Sequence, residues 1–275
     1  MGLEDRRLLR VCYWSYGRYG ASLNHVEDNM SECCSRNLIT VNGGVIRIDA
    51  SGSILKEFWH CPESYAESIL ARINSGYYGN LLRIAHDGMK VVDLGAHIGL
   101  FSLYVSDLAK VVVAVEPTPN HFTILNKMMA DYDNIITING AAFCENSDIQ
   151  FYINSNNTSA NSFIPYNGSD KAITVSGMTI KTLVESVKLD HIDLCKVSIA
   201  GSEEIAICDN VIQDVKGMVD SWMLEVHPNR IGGYDANINH FMSLFNRHGY
   251  LVDQVAYDLV MAVKPNINRR FYRYH

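Results

Sequence analysis

The stretch Asp93-Leu94-Gly95-Ala96-His97-Ile98-Gly99 places an acid and two glycines directly after the apolar residues Val91 and Val92. Gly95 would let the backbone turn sharply and approach a ligand with no side chain in the way, and Gly99 would let the next helix pack close to the strand. A second carboxylate, Glu116, closes the next apolar run, near the spacing of about 20 residues expected between a first glycine turn and a ribose-binding acid. Taken singly, Asp93 reads equally well as a helix cap and Glu116 as an ordinary strand-end acid. Together with the strand and both glycines they point to a nucleoside-type cofactor. The G-x-G-x-x-G pattern that carries a pyrophosphate to a helix N-terminus is missing. S-adenosylmethionine has no phosphate, and its sulfonium, amino and ribose groups are of a kind that carboxylates can meet.

A second chemical pair lies at Leu224-Glu225-Val226-His227-Pro228. Residues two apart on a strand share a face, so Glu225 and His227 would stand together. An imidazole oriented by a carboxylate can take a proton from a hydroxyl or an amide. A histidine merely hydrogen-bonded at a strand end is the competing reading. His97, inside the glycine turn, is expected to shape the pocket or to meet the cofactor through its backbone. His86, His121, His191, His240 and His248 read as surface or packing residues, and no sequence cluster offers three clear metal ligands, so no tightly bound metal is expected. The seven cysteines form no CxxC pair and read as reduced thiols.

These residues need a scaffold to bring them together. From Lys90 onward, short β-rich runs alternate with helical patterns, the signature of a parallel sheet covered on both faces. The spacing predicts strands at Val91–Leu94, Val111–Val115, Ile135–Ile138, Leu194–Ile199, Ser221–Val226, Tyr250–Gln254 and Val260–Val263. Phe101, Leu103, Tyr104 and Leu108 would line one buried helix face, and Phe122, Leu125, Met128 and Met129 another. The Asn/Ser/Gly-rich segment Gln150 to Ser176, flanked by strand-like Ile149–Ile153 and Ala172–Val175, reads as an inserted hairpin or a loop over the site. Residues 1–88 read as an N-terminal attachment, with a hairpin at Leu38 to Asp49 around Asn42-Gly43-Gly44 and an amphipathic helix at Ser64 to Asn74. Residues 89–265 form the cofactor-binding domain and 266–275 a basic-aromatic tail.

A chain of 275 residues with 48% hydrophobic and 19% charged residues has the composition of an ordered globular protein. No apolar run approaches the roughly 18 residues needed to cross a bilayer, and no signal peptide is visible; a soluble cytoplasmic protein with no membrane partner is expected. The net charge of −7 argues against general attraction to nucleic acid. Two basic-aromatic patches, Arg6, Arg7 and Arg10 before Tyr13 and Trp14, and Arg269, Arg270 and Arg273 among Phe271, Tyr272 and Tyr274, read as solvated or docking termini.

In Val92-Asp93-Leu94-Gly95-Ala96-His97-Ile98-Gly99, Val115-Glu116-Pro117, Asn139-Gly140-Ala141-Ala142 and Lys196-Val197-Ser198-Ile199-Ala200-Gly201-Ser202-Glu203, the sequence resembles the FkbM family of methyltransferases. The resemblance spans roughly Glu67 to Pro265 and leaves the first 66 residues uncovered. It implies a Rossmann-like α/β fold with a seven-stranded, mostly parallel sheet whose last strand is antiparallel. It also implies S-adenosylmethionine as cofactor, with Asp93, Gly95 and Gly99 near its methionine part, Glu116 on the ribose and Asn139 to Ala142 near the adenine; Ala96, His97 and Pro117 are further cofactor-binding candidates. The activity implied is O-methylation of a sugar, lipid head group or secondary metabolite. N-methylation of a peptide side chain is the alternative.

The chain departs from that family at the end of the fourth strand, where two acids usually stand and here Ser198 and Ala200 occupy the positions. If both lay on the strand, they would face the site together. Ser198 keeps one hydroxyl; Ala200 offers no polar group. Three readings follow: divergence to a chemistry that needs no acid, a protein that binds the cofactor without catalysis, or deliberate replacement of the acids. An oxidoreductase reading is disfavoured by the missing third glycine.

Overall fold

The computed structural model describes residues 47–48, 54–55, 81, 84–154, 160–165, 170–227 and 234–267. The chain divides into two compact units, Met1–Leu82 and Arg83–His275, a boundary a few residues before the one expected at 88. In the first unit, β1 (Arg47–Ile48) pairs antiparallel with β2 (Ile54–Leu55). The Asn42-Gly43-Gly44 turn, the Ser64 to Asn74 helix and both basic-aromatic patches lie outside the described residues.

The second unit is built on a seven-stranded sheet. In chain order its strands are β3 (Met89–Leu94), β4 (Ala109–Glu116), β5 (Ile135–Asn139), β9 (Leu194–Val197), β10 (Ser221–Glu225), β11 (Leu251–Ala256) and β12 (Leu259–Val263). Their spatial order is β11-β12-β10-β9-β3-β4-β5. Strands β10, β9, β3, β4 and β5 run parallel, and β12 is antiparallel to both of its neighbours. The runs Val91-Val92 and Val111-Val112-Val113 suit this sheet because β-branched side chains pack well on pleated surfaces buried on both sides.

Alternation along the strands assigns the two faces. Val92, Leu94, Val113, Val115, Cys195, Val197, Trp222 and Leu224 join the larger core. Against it pack α3 (Ile180–Ser186), α5 (Asp209–Val215) and α6 (Tyr234–Arg247), through Leu183, Ile212, Phe241 and Phe245 among others. Each such fully buried side chain contributes about 1.5–3 kcal/mol through the hydrophobic effect. The adjoining helices α1 (Leu100–Ser106) and α2 (Pro119–Met129) bury Phe101 and Val105, and Leu125, Met128 and Met129.

The face of α1 differs from the sequence expectation. Leu103, Tyr104 and Leu108 are only partly buried, whereas Ser102 is fully buried, because its hydroxyl reaches the carboxylate of Asp93 at 2.7 Å. A polar anchor outranks apolar spacing in setting this short helix's rotation.

Between β5 and α3 the chain forms a small second sheet. Strand β6 (Ala141–Ala142) runs parallel to β8 (Lys171–Met178), which pairs antiparallel with β7 (Ser147–Ile153). This is the expected inserted hairpin, longer at both ends. Its connecting segment is tied to loops of the main sheet: Asn161 Nδ2 donates to Thr118 Oγ1 at 3.1 Å and the Phe163 amide to Ser202 Oγ at 3.1 Å. The insertion therefore touches the loops that follow β4 and β9. The remaining helix, α4 (Glu203–Ala206), comes directly after this second loop.

Candidate active site at the carboxyl ends of the strands

From the central strand β3 the chain winds outward through β4 and β5 on one side and through β9 and β10 on the other, so strand order reverses between β3 and β9. Open α/β sheets bind ligands outside the carboxyl ends of the strands at such a reversal. Most residues singled out from the sequence stand there.

Gly95 has φ +76, and a Cβ on it would lie 2.0 Å from the carbonyl oxygen of Ser198. The turn after β3 thus abuts the turn after β9, an approach only glycine permits. Gly99 has φ +93, and a Cβ there would meet Met129 Cε at 2.4 Å and Leu125 Cδ1 at 2.6 Å. Its space is needed by helix α2, rather than by the strand that the sequence pattern suggests.

The turn's amides are already engaged. Gly95 and Ala96 both donate to the carbonyl of Val115 (3.0 and 2.9 Å), and His97 donates to Glu116 Oε2 at 2.9 Å. Glu116 Oε1 accepts from the Thr118 amide at 2.9 Å and lies 3.5 Å from His121 Nδ1. The protein's own carboxylate thus takes up a turn amide that could otherwise serve an anionic ligand.

Asp93 faces away from solvent, at 0% exposure. Its Oδ1 accepts from Lys196 Nζ at 2.9 Å and its Oδ2 from Ser102. Asp93 and Lys196 are register partners on adjacent strands, and Lys196 Nζ also reaches the Gly95 carbonyl at 3.3 Å. The side chain of Asp93 is therefore spent on setting the turn. Asn139 donates from Nδ2 to the carbonyl of Glu116 at 2.9 Å and to that of Pro117 at 3.3 Å, clamping the loop after β4. Ala142 is buried in the larger core.

His97 and His121 stack tilted at 3.9 Å between ring centroids. His121, a surface or packing residue by its sequence context alone, meets Glu116 because it stands in the first turn of α2, which begins just after β4. Burial lowers the His97 pKa from its usual 6.5 to about 3; His121 adds to this, Glu116 opposes it and Lys196 adds again. For Glu116, burial alone acts upward, but hydrogen bonding and charge from His121, then His97 and the Thr118 contact, leave its pKa below the usual carboxylate range.

Both shifts have the same consequence for pH. The unfolded chain takes up a proton at position 97 as pH falls through 6.5, whereas the folded protein does so only near 3, so stability is lost progressively across that window on acidification. Glu116 adds a loss of the same sign at lower pH. Between pH 6.5 and 5, His97 accounts for about 1.5 kcal/mol of this loss. In the variant His97→Asn, which tolerates the left-handed backbone at φ 53, urea unfolding at the two pH values shows that share of the loss removed; an unchanged slope rejects the assignment.

Strand β10 stops at Glu225, one residue earlier than expected, so His227 lies in the segment beyond it and strand alternation does not set its direction. His227 Nε2 lies 3.6 Å from Glu225 Oε1, but the shorter contact, 2.8 Å, joins His227 Nδ1 to Glu203 Oε1. Glu203 opens α4 and is 2% exposed; the same Oε1 accepts from the Ile199 amide at 3.1 Å. Asn237 of α6 donates to the His227 carbonyl at 3.1 Å. The sequence shows Glu203 as part of a motif, and only the fold shows it orienting the imidazole.

Ser198 and Ala200 do not share a strand face. The strand β9 stops at Val197, two residues earlier than expected, and Ala200 (φ 54) and Gly201 (φ 89) turn the chain back. Strand alternation therefore says nothing about where side chains at 198 and 200 point. Ser198 stays attached to β3 through its amide, which donates to the Leu94 carbonyl at 3.0 Å.

A family model for the methyltransferase FkbM domain matches residues 93–252. The chain belongs to that family. The stretch matched by the FkbM model contains the glycine turn, the insertion and the His227 cluster. No curated protein matches the chain in sequence. Among solved structures, it is similar to a fibrillarin pre-rRNA processing protein of Methanococcus jannaschii, with 15% identity and a TM-score of 0.42, covering 65% of this chain and 66% of that one. A fibrillarin of Aeropyrum pernix with natively bound S-adenosyl-L-methionine shows 13% identity and a TM-score of 0.42 over 68% and 74% of the two chains. An rRNA methylase of Streptococcus thermophilus shows 14% identity and a TM-score of 0.42 over 68% and 93%. No helix among the described residues is long and apolar enough to cross a membrane.

Proposed function

We propose that this chain is an S-adenosylmethionine-dependent O-methyltransferase acting on a hydroxyl of a sugar or small secondary metabolite, with His227 as proton acceptor. The observation that carries the reading is an imidazole held by Glu203 and flanked by Glu225 at the same sheet edge as the glycine turn.

The residues present fit the cofactor. With Asp93 offset by Lys196 and His97 neutral, the ionised Glu116 leaves the turn acidic, which suits a cationic nucleoside. The turn amides are taken up by Val115 and Glu116, which disfavours a pyrophosphate. Glu116, with a lone pair left on Oε2, would accept from a ribose hydroxyl, and the loop clamped by Asn139 would border the adenine. Gly95 and Ala96 would border the methionine part through their backbone. When bound, S-adenosylmethionine supplies an activated methyl group to an acceptor aligned with it.

In this reading, His227 donates its Nδ1–H to Glu203, which fixes the tautomer and leaves Nε2 to accept. Nε2 takes the hydroxyl proton as the acceptor oxygen becomes methylated, and the imidazolium formed is stabilised between Glu203 and Glu225. The insertion tied to Thr118 and Ser202 would wall the acceptor and exclude water. Ala200 takes no chemical part, and Ser198 serves through its backbone.

His227→Ala is expected to lower kcat by about 10²–10⁴-fold with cofactor affinity unchanged. Glu203→Gln is expected to lower kcat by about tenfold. Both are read by transfer of a labelled methyl group with a panel of hydroxylated metabolites. Turnover that survives His227→Ala removes the proposed base. If the parent chain binds the cofactor but transfers no methyl group until Ser198→Asp and Ala200→Glu are introduced, the binding-only reading replaces this one.

A further inference from the structure

At the amino ends of three adjacent strands, the edge opposite the site above, three side chains converge and a fourth stands beside them. His86 precedes β3, His191 and Asp193 precede β9, and Asp220 precedes β10. His191 Nε2 lies 3.3 Å from Asp193 Oδ1 and 3.0 Å from Asp220 Oδ2, and His86 Nε2 lies 3.3 Å from the same Asp193 Oδ1. We propose that His191 Nε2, Asp193 Oδ1 and Asp220 Oδ2, which lie within 4.8 Å of one another, form a binding site for a divalent cation, zinc foremost, to which His86 Nε2, beside Asp193 Oδ1, turns in as fourth ligand when the ion binds.

Three features carry the assignment. Zinc–ligand distances of about 2.0–2.1 Å in a tetrahedral site put ligand atoms about 3.3–3.4 Å apart, and the three separations above already lie within a few tenths of an ångström of that edge length. The donor set of two imidazoles and two carboxylates is one that zinc accepts.

The third feature is the outer layer of hydrogen bonds, which turns one donor atom of each of three side chains toward the centre. His86 Nδ1 lies 3.2 Å from the Asp87 carbonyl, an acceptor that would hold the ring proton there and leave the Nε2 lone pair to a bound cation. Asp193 Oδ2 accepts from the Lys90 amide at 2.6 Å, leaving Oδ1 to the imidazoles. Asp220 Oδ1 accepts from Lys264 Nζ at 3.0 Å, leaving Oδ2. The backbone holds the ligands in place as well: the Asp193 amide donates to the Lys90 carbonyl, and the Asp220 amide to that of Ile192.

No three of these ligands are close enough in the chain to suggest a site. The parallel sheet assembles them from positions 86, 191, 193 and 220, because neighbouring parallel strands all start at one edge. The bound cation would tie together the beginnings of β3, β9 and β10 and take no part in chemistry at the carboxyl edge.

The full chain, freed of metal by chelation and dialysis, is titrated with zinc chloride by calorimetry and with cobalt(II) by visible absorption. One equivalent of zinc is expected to bind, with a rise in Tm of about 5 °C at a hundredfold excess over Kd. The cobalt form is expected to show four-coordinate bands without thiolate charge transfer, which separates this site from any cysteine site. His191→Gln is expected to abolish stoichiometric binding. His86→Gln, at an exposed position that does not threaten folding, is expected to weaken binding at least tenfold. Absence of stoichiometric binding, a thiolate signature, or affinity unchanged in both variants overturns the site and leaves the cluster as imidazolium–carboxylate ion pairs.

Discussion

Replacing Lys196 with methionine is expected to lower the free energy of unfolding by about 3–5 kcal/mol, the cost of stranding a buried charge by removing its partner. Asp93 is fully buried, and after the substitution only the Ser102 hydroxyl, among the described residues, still serves its carboxylate. Methionine nearly matches the lysine stem in volume and can keep the contact with Phe101, over whose ring Lys196 Nζ lies 5.5 Å from the centroid. The loss therefore reports charge rather than packing. Adding Asp93→Asn should recover a large part of it, because no unpaired charge then remains. Urea unfolding of both singles and the double gives the coupling energy directly. A single-variant loss under about 1 kcal/mol, or a double variant worse than the sum of the singles, rejects the view that this pair sets the turn. Cofactor affinity should fall with stability in Lys196→Met, since Lys196 also braces the Gly95 carbonyl.

Gly95→Ala is expected to cost about 2–5 kcal/mol and to abolish measurable cofactor binding. Two terms add. An alanine forced to φ +76 costs about 1–2 kcal/mol. Its Cβ would also lie 2.0 Å from the Ser198 carbonyl oxygen and 2.9 Å from its carbon, and backbone atoms on two packed strand ends can move apart only by disturbing β3 and β9, a strain of about 1–3 kcal/mol. Gly249→Ala separates the terms. Gly249 has a similar φ of +85 but nothing within 4 Å of the place its new methyl group would take, so it should show the conformational cost alone and leave cofactor binding intact. Equal losses at the two positions would remove the argument that close approach of the two strand ends shapes the binding turn.

Much of the fold was legible because its signals are local. Runs of valine and isoleucine marked the strands, and Leu125, Met128 and Met129 marked the buried face of α2 by their spacing. Gly95 marked a turn because a positive φ and a close approach both exclude a side chain. Other features failed locally for identifiable reasons. Ser102 rotates α1 toward Asp93, against the apolar pattern of Leu103, Tyr104 and Leu108. The left-handed Ala200 ends the alternation that would have paired it with Ser198.

The sequence by itself determined where the glycine turn falls and which residues alternate into the sheet, since backbone period and glycine's freedom act within a few residues. Tertiary structure alone decided which partner each charge receives. Asp93 meets Lys196 because β3 and β9 become neighbours with those two residues in register. Glu203 reaches His227 because the loop after β9 lies beside the end of β10, and His86, His191, Asp193 and Asp220 meet because the strands they precede begin at one edge. Charges interact through space at a few ångströms, whatever their separation along the chain. The glycine turn was therefore readable in advance, while the ion pair that holds it and the carboxylate that orients the imidazole emerged only when the strands were laid side by side.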